Sequence, residues 1–88
     1  MYCILVYDIN EKRVAKILKL MRGYLNWIQN SVFEGELSKG MLDELMFKAG
    51  KIIHKEEDSI IIYTLQNQKF LDKLSMGIDK SEKTSNFL

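Results

Sequence analysis

Tyr2-Cys3-Ile4-Leu5-Val6-Tyr7-Asp8 is the stretch that decides the fold: six apolar residues in a row, closed by a carboxylate. Its length and its β-branched and aromatic content predict a strand covered on both faces, because a strand with one wet face alternates apolar and polar residues. Ser59-Ile60-Ile61-Ile62-Tyr63-Thr64-Leu65 repeats the pattern later in the chain and predicts a second strand of the same kind. Between them the periodicity changes. Val14, Ile17, Leu18 and Met21 recur at helical spacing from Glu11 to Met21, with Asn10 placed to cap the helix and Gly23 to stop it. Residues 24–29 and 31–37 predict two further strands with a break around Asn30. Ser38 is placed to cap a second helix, in which Leu42, Leu45, Met46, Ala49, Ile52 and Ile53 form the apolar side. The acidic run Glu56-Glu57-Asp58 belongs to a turn.

The order of elements is β-α-β-β-α-β, an α+β ferredoxin-like arrangement with two helices on one face of a four-stranded antiparallel sheet. The sheet's other face is then open, yet the strands at 2–7 and 59–65 place apolar residues on it. A second copy packed sheet to sheet is the simplest cover, so a homodimer is expected. Residues 1–65 make the ferredoxin-like domain. Residues 66–88 form a C-terminal extension that contributes to the dimer or to partner contacts. Within it, 66–76 is a short helix or an irregular segment, and Asn86-Phe87-Leu88 a small strand that is added across protomers.

Composition narrows the chemistry. The chain has 88 residues, and at 47% hydrophobic and 28% charged it is a globular domain with no room for a second. Domains this small bury only about 60% of their unfolded surface, so a lone monomer is marginal. One cysteine, Cys3, excludes an intrachain disulfide and a cysteine-based zinc site, and one histidine, His54, excludes a two-histidine metal motif. No apolar run reaches the roughly 18 residues of a membrane span. The first residues carry no basic leader, and a cytoplasmic protein with a reduced thiol is expected. Net charge is +1, but Glu11 to Arg22 holds five basic residues against one acid, which suits a polyanion such as nucleic acid.

Asp8 is the candidate for chemistry. A carboxylate at a strand end binds a divalent cation through oxygen, and such an ion activates water at a phosphodiester. The alternative is structural, with Asp8 capping the turn or pairing with Arg13. A lone carboxylate binds magnesium poorly, and two copies brought together by a dimer remove that difficulty. Lys12, Lys16 and Lys19 form a stripe able to meet phosphates, with Arg13 and Arg22 suited to bidentate contacts; a solvated helix face is the plainer account of the same charges. Tyr24, Trp27 and Phe33 are candidates for base stacking or for the core. His54 is expected to interact with the end of the second helix, Cys3 to fill core space, and Ser31 has no partner base.

Tyr7-Asp8-Ile9 after an apolar strand, Arg13, and then Gln29-Asn30-Ser31-Val32-Phe33-Glu34 resembles the small CRISPR-associated adaptation nucleases, the ferredoxin-like partners of the CRISPR integrase. The resemblance covers residues 1 to about 65 and is loose from Gln66 onward. It implies a homodimer with a strand exchanged or added near the C-terminus. It implies metal-dependent cleavage of RNA or DNA, with Asp8 coordinating Mg2+ or Mn2+ at the dimer axis and water attacking the phosphodiester. It also implies a scaffold that bridges integrase dimers around the DNA of a new spacer. Arg13 matches the family's arginine in the first helix, and Ser31 and Phe33 match residues near its cleft. Trp27 stands where many relatives carry a basic residue, with Arg22 positioned to compensate. A catalytically inactive DNA-bridging scaffold and a regulatory ferredoxin-like domain for a small ligand remain open alternatives.

Overall fold

A computed structural model describes residues 1–66 and Met76. β1 (Tyr2–Asp8) leads into α1 (Glu11–Arg22), the hairpin β2 (Asn26–Gln29) and β3 (Val32–Glu36), then α2 (Lys39–Ile52) and β4 (Ser59–Leu65). The strands form one antiparallel sheet in the order β2-β3-β1-β4, with β1 inside and β2 and β4 at the edges. This is the ferredoxin-like β-α-β-β-α-β fold. No described helix is long and apolar enough to cross a membrane.

Alternation along β1 sends Cys3, Leu5 and Tyr7 into the helix-covered core, where they meet Ile17 and Met21 of α1, Leu45 and Ala49 of α2, and Phe33 of β3. Both helix starts are capped as expected. The Asn10 side chain accepts from the Lys12 N–H at 2.9 Å, and the Ser38 hydroxyl accepts from the Met41 N–H at 3.1 Å. Outside the core, the Tyr24 hydroxyl donates to Glu44 and accepts from Lys48 Nζ at 3.1 Å, tying the end of α1 to α2.

Other boundaries moved for local reasons. Tyr24 and Leu25 were expected in a strand, but their N–H groups donate to the Met21 carbonyl at 2.9 and 2.8 Å and prolong the turn that ends α1. Leu25 packs there beside Gly35, where a Cβ would approach its side chain to 3.2 Å. Asn30 and Ser31 form the hairpin turn, with Asn30 at φ 46°, a left-handed value that asparagine tolerates better than most residues. The β2–β3 register shifts between Trp27 and Gln29, leaving Ile28 as an extra, bulged residue. Leu37 leaves β3 to donate its N–H to the Met1 carbonyl at 2.9 Å.

The opposite face of the sheet carries Tyr2, Ile4, Val6 and Asp8 from β1, with Leu65, Tyr63, Ile61 and Ser59 of β4 directly across. Ile61 is 50% and Tyr63 59% exposed, so the face the helices leave bare is apolar. The expected exchange strand at 86–88 and the structure of the 66–88 extension lie outside the described residues, apart from Gln66 and the exposed Met76.

Three outcomes follow for stability. Phe33 has no exposed surface, so Phe33→Ala lowers unfolding free energy by about 3–5 kcal/mol. Phe47, 66% exposed with Lys51 Nζ 4.4 Å above its ring, loses less than about 1 kcal/mol on the same change, and urea unfolding reads both. Burial, with Glu34 and Glu36 nearby, pushes the Tyr2 hydroxyl from its usual 10.0 to about 12. Its neutral form is therefore favoured on folding. That contribution is complete below about pH 10 and disappears as pH rises toward 12. Tyr2→Phe removes this part of the alkaline loss, measured as melting temperature against pH.

Candidate functional site

Asp8 ends β1 with its side chain exposed, on the apolar face that the helices do not cover. Two serines flank this end of the strand. Across the sheet on one side Asp8 pairs with Ser59, the first residue of β4. On the other, the Tyr7 N–H donates to the Ser31 carbonyl at 3.0 Å, which brings the β2–β3 turn alongside. Asp8, Ser31 and the start of β4 thus share one end of the sheet.

Beneath this end lies a second carboxylate, and it is buried. The Asp58 side chain has no exposed surface. Its Oδ1 accepts from the Asn10 N–H at 2.8 Å and Arg13 Nη2 at 3.1 Å; its Oδ2 accepts from Arg13 Nε at 2.6 Å and the His54 N–H at 2.8 Å. The Arg13 guanidinium, with the two backbone N–H groups, holds the Asp58 carboxyl well below the usual carboxylate range although burial pushes the other way. Arg13 Nη2 also reaches Glu57 Oε2 at 3.1 Å.

Arg13, expected to contact phosphate, pairs through Nε and Nη2 with Asp58 and Glu57. It also does not pair with Asp8. Phe33, expected near a cleft, is fully buried, its ring 6.0 Å from that of Tyr7, because alternation along β3 points it into the helix side. The other stacking candidates are engaged as well. Trp27 Nε1–H donates to the Asn30 carbonyl at 3.0 Å, which also accepts from the Tyr7 hydroxyl at 3.3 Å, and Tyr24 belongs to the Glu44–Lys48 contact. Lys12, Lys16, Lys19 and Arg22 are all exposed on α1. They lie in the helix layer, so they and Asp8 occupy different surfaces that meet where β1 turns into α1.

Cys3 is fully buried, and burial pushes its thiol up, as suits a core residue. His54 contributes its backbone N–H to Asp58, and its Nδ1 lies 3.8 Å from Glu57 Oε2. Among the described residues no three His, Cys, Asp or Glu side chains gather to hold a metal ion. Among the described residues Asp8 stands as an exposed strand-end carboxylate with no such metal-ligating group gathered beside it.

The residue that sequence reasoning missed is Asp58. A carboxylate immediately before an apolar strand, with an arginine in the first turn of a helix, was the available signal. The acidic run read as a turn hid it.

With this geometry in place, comparison with known proteins is specific. The sequence model of CRISPR associated protein Cas2 matches residues 1–73. The chain is 50% identical over 82 residues to the CRISPR-associated endoribonuclease Cas2 of Thermotoga maritima, covering 93% of this chain and 94% of that protein. It is 39% identical over 88 residues to the protein of the same name from Methanosarcina acetivorans, covering 100% of both. A crystal structure of Cas2 is similar at TM-score 0.83 and 49% identity over 92% of this chain and 91% of that one. Streptococcus pyogenes Cas2 is similar at TM-score 0.71 and 29% identity over 85% of this chain and 100% of that one. The fold and these matches agree: the chain belongs to the Cas2 family of CRISPR-associated proteins.

Proposed function

We propose that this protein is a CRISPR adaptation protein that works as a homodimer in the cytoplasm, cleaving a phosphodiester at the dimer axis and serving the CRISPR integrase as a nucleic-acid scaffold. The observation that carries the reading is the position of Asp8, an exposed carboxylate at the end of an apolar sheet face. Packing that face against its copy buries Ile61 and Tyr63 and brings the two Asp8 side chains toward each other. RNA is the favoured substrate, since the relatives named above are endoribonucleases.

Two copies of Asp8 would hold Mg2+ or Mn2+, which when bound supplies charge to polarise the phosphate and to acidify a water. The chain's own part is to place the two carboxylates and to surround them with low-dielectric surface from Ile61 and Tyr63. Ser31 and Ser59 offer hydroxyls at the same end of the sheet, able to orient water or a phosphate oxygen. The exposed Lys12, Lys16, Lys19 and Arg22 give a second, cationic surface on α1, suited to the backbone of a longer nucleic acid. Arg13 is left out of that surface because Asp58 and Glu57 occupy it.

Labelled RNA and duplex DNA incubated with wild type and Asp8→Ala, with Mg2+ or with chelator, test this. Metal-dependent cleavage is expected to fall about 100-fold or more in Asp8→Ala, while salt-sensitive binding is retained. Equal cleavage by both proteins would remove Asp8 from the chemistry. Binding without cleavage by either would leave the inactive scaffold as the better reading, and absence of salt-sensitive binding would favour the small-ligand domain.

A further inference from the structure

We infer that Asp58 and Arg13 are positioning residues for Asp8, and that Arg13 acts through Asp58 rather than on nucleic acid. This rests on the reading of Asp8 just given. A carboxylate has about four acceptor sites, and Asp58 receives four hydrogen bonds, two on each oxygen. With its side chain fully buried, it has neither the lone pairs nor the access to bind a metal ion or take a proton from water.

What it can do is set where Asp8 stands. Asn10, two residues beyond Asp8, is fixed by its N–H to Asp58 Oδ1. Ser59, the residue after Asp58, is the cross-strand partner of Asp8. One carboxylate thus holds the chain that leaves Asp8 and the strand that flanks it. The His54 N–H and the Arg13 fork hold the carboxylate in turn, from the end of α2 and the first turn of α1. Arg13 uses Nε and Nη2 in this pairing, and Glu57 leaves the cluster with two negative groups against one positive. The half-exposed Glu57 carboxylate, 3.1 Å from Arg13 Nη2, opposes an approaching phosphate by its like charge. A group that must sit opposite its own copy tolerates little displacement, since a shift of about 1 Å in a reacting geometry costs about 100-fold in rate.

The pair and the phosphate contact separate experimentally with Arg13→Lys, Arg13→Gln, Asp58→Asn and the Arg13→Gln/Asp58→Asn double variant. Arg13→Lys keeps a charge able to meet phosphate but loses the fork. Three readouts are needed: kcat and KM on a labelled RNA oligonucleotide, the salt slope of its binding in chelator, and the Asp8 and Ser59 amide signals by NMR. The expected result is a fall of about 10–100-fold in kcat for each single variant, Arg13→Lys included. KM and the salt slope stay unchanged, the Asp8 and Ser59 signals shift, and the double variant is little worse than either single one. The proposal is overturned if Arg13→Gln raises KM and lowers the salt slope by about one, while Arg13→Lys cleaves normally and the Asp8 signal is unmoved. Signal dispersion reports folding, and if Asp58→Asn unfolds, Arg13→Lys decides alone. Should Asp8→Ala cleave as wild type does, the assignment of Asp8 fails, and the amide signals and salt slope still settle whether this pair holds that strand end.

Discussion

A buried carboxylate surrounded by four N–H donors is the constraint on which this end of the molecule depends. Asp58 joins the start of β4 to the β1–α1 corner, to the first turn of α1 and to the chain that leaves α2. Taking a carboxylate out of water is unfavourable unless its lone pairs are filled, and here they are filled by a guanidinium fork and two backbone groups. Because these partners hold its carboxyl below the usual range, the hold is complete above ordinary carboxylate pKa values. It weakens only as acid protonates the group. The edge strand β4 starts at the residue after Asp58, in a register against β1 that places Ser59 across from Asp8 and decides which residues share its face.

That face gives the fold its function-bearing asymmetry. One side of β1 supplies Cys3, Leu5 and Tyr7 to a core closed by two helices. The other supplies Ile4 and Val6, beside the half-exposed Ile61 and Tyr63, and ends in an exposed carboxylate. An apolar sheet face with a charged group at its border suits association with a copy of itself, and the small size of the domain makes such association favourable for stability. The cations of α1 lie in the other layer, so binding a nucleic-acid backbone and holding a metal ion would be done by separate surfaces of one small protein.

Much of this was legible in local pattern. Both helices, their caps at Asn10 and Ser38 and the limits of β4 follow from periodicity and capping chemistry, and the unbroken apolar runs pointed to a second apolar face. The site was legible as far as Asp8, whose charge after six apolar residues demands an account. What local pattern does not encode is long-range partnership. Arg13 and Asp58 stand 45 residues apart, and the local pattern around each gives its charge and its place at an element's start without fixing the pairing. Phe33 lies in a motif whose family resemblance implied a place near a cleft, yet alternation in β3 turns it inward. Tyr24 and Leu25 carry apolar character suited to a strand, but the end of α1 claims their N–H groups first.

The central claim is that two copies of this chain share one metal site through Asp8. Calorimetric titration of the purified protein with Mn2+ measures it through stoichiometry. The account predicts one ion for every two chains and loss of that binding in Asp8→Asn. One ion per chain, or binding that Asp8→Asn leaves unchanged, would contradict it.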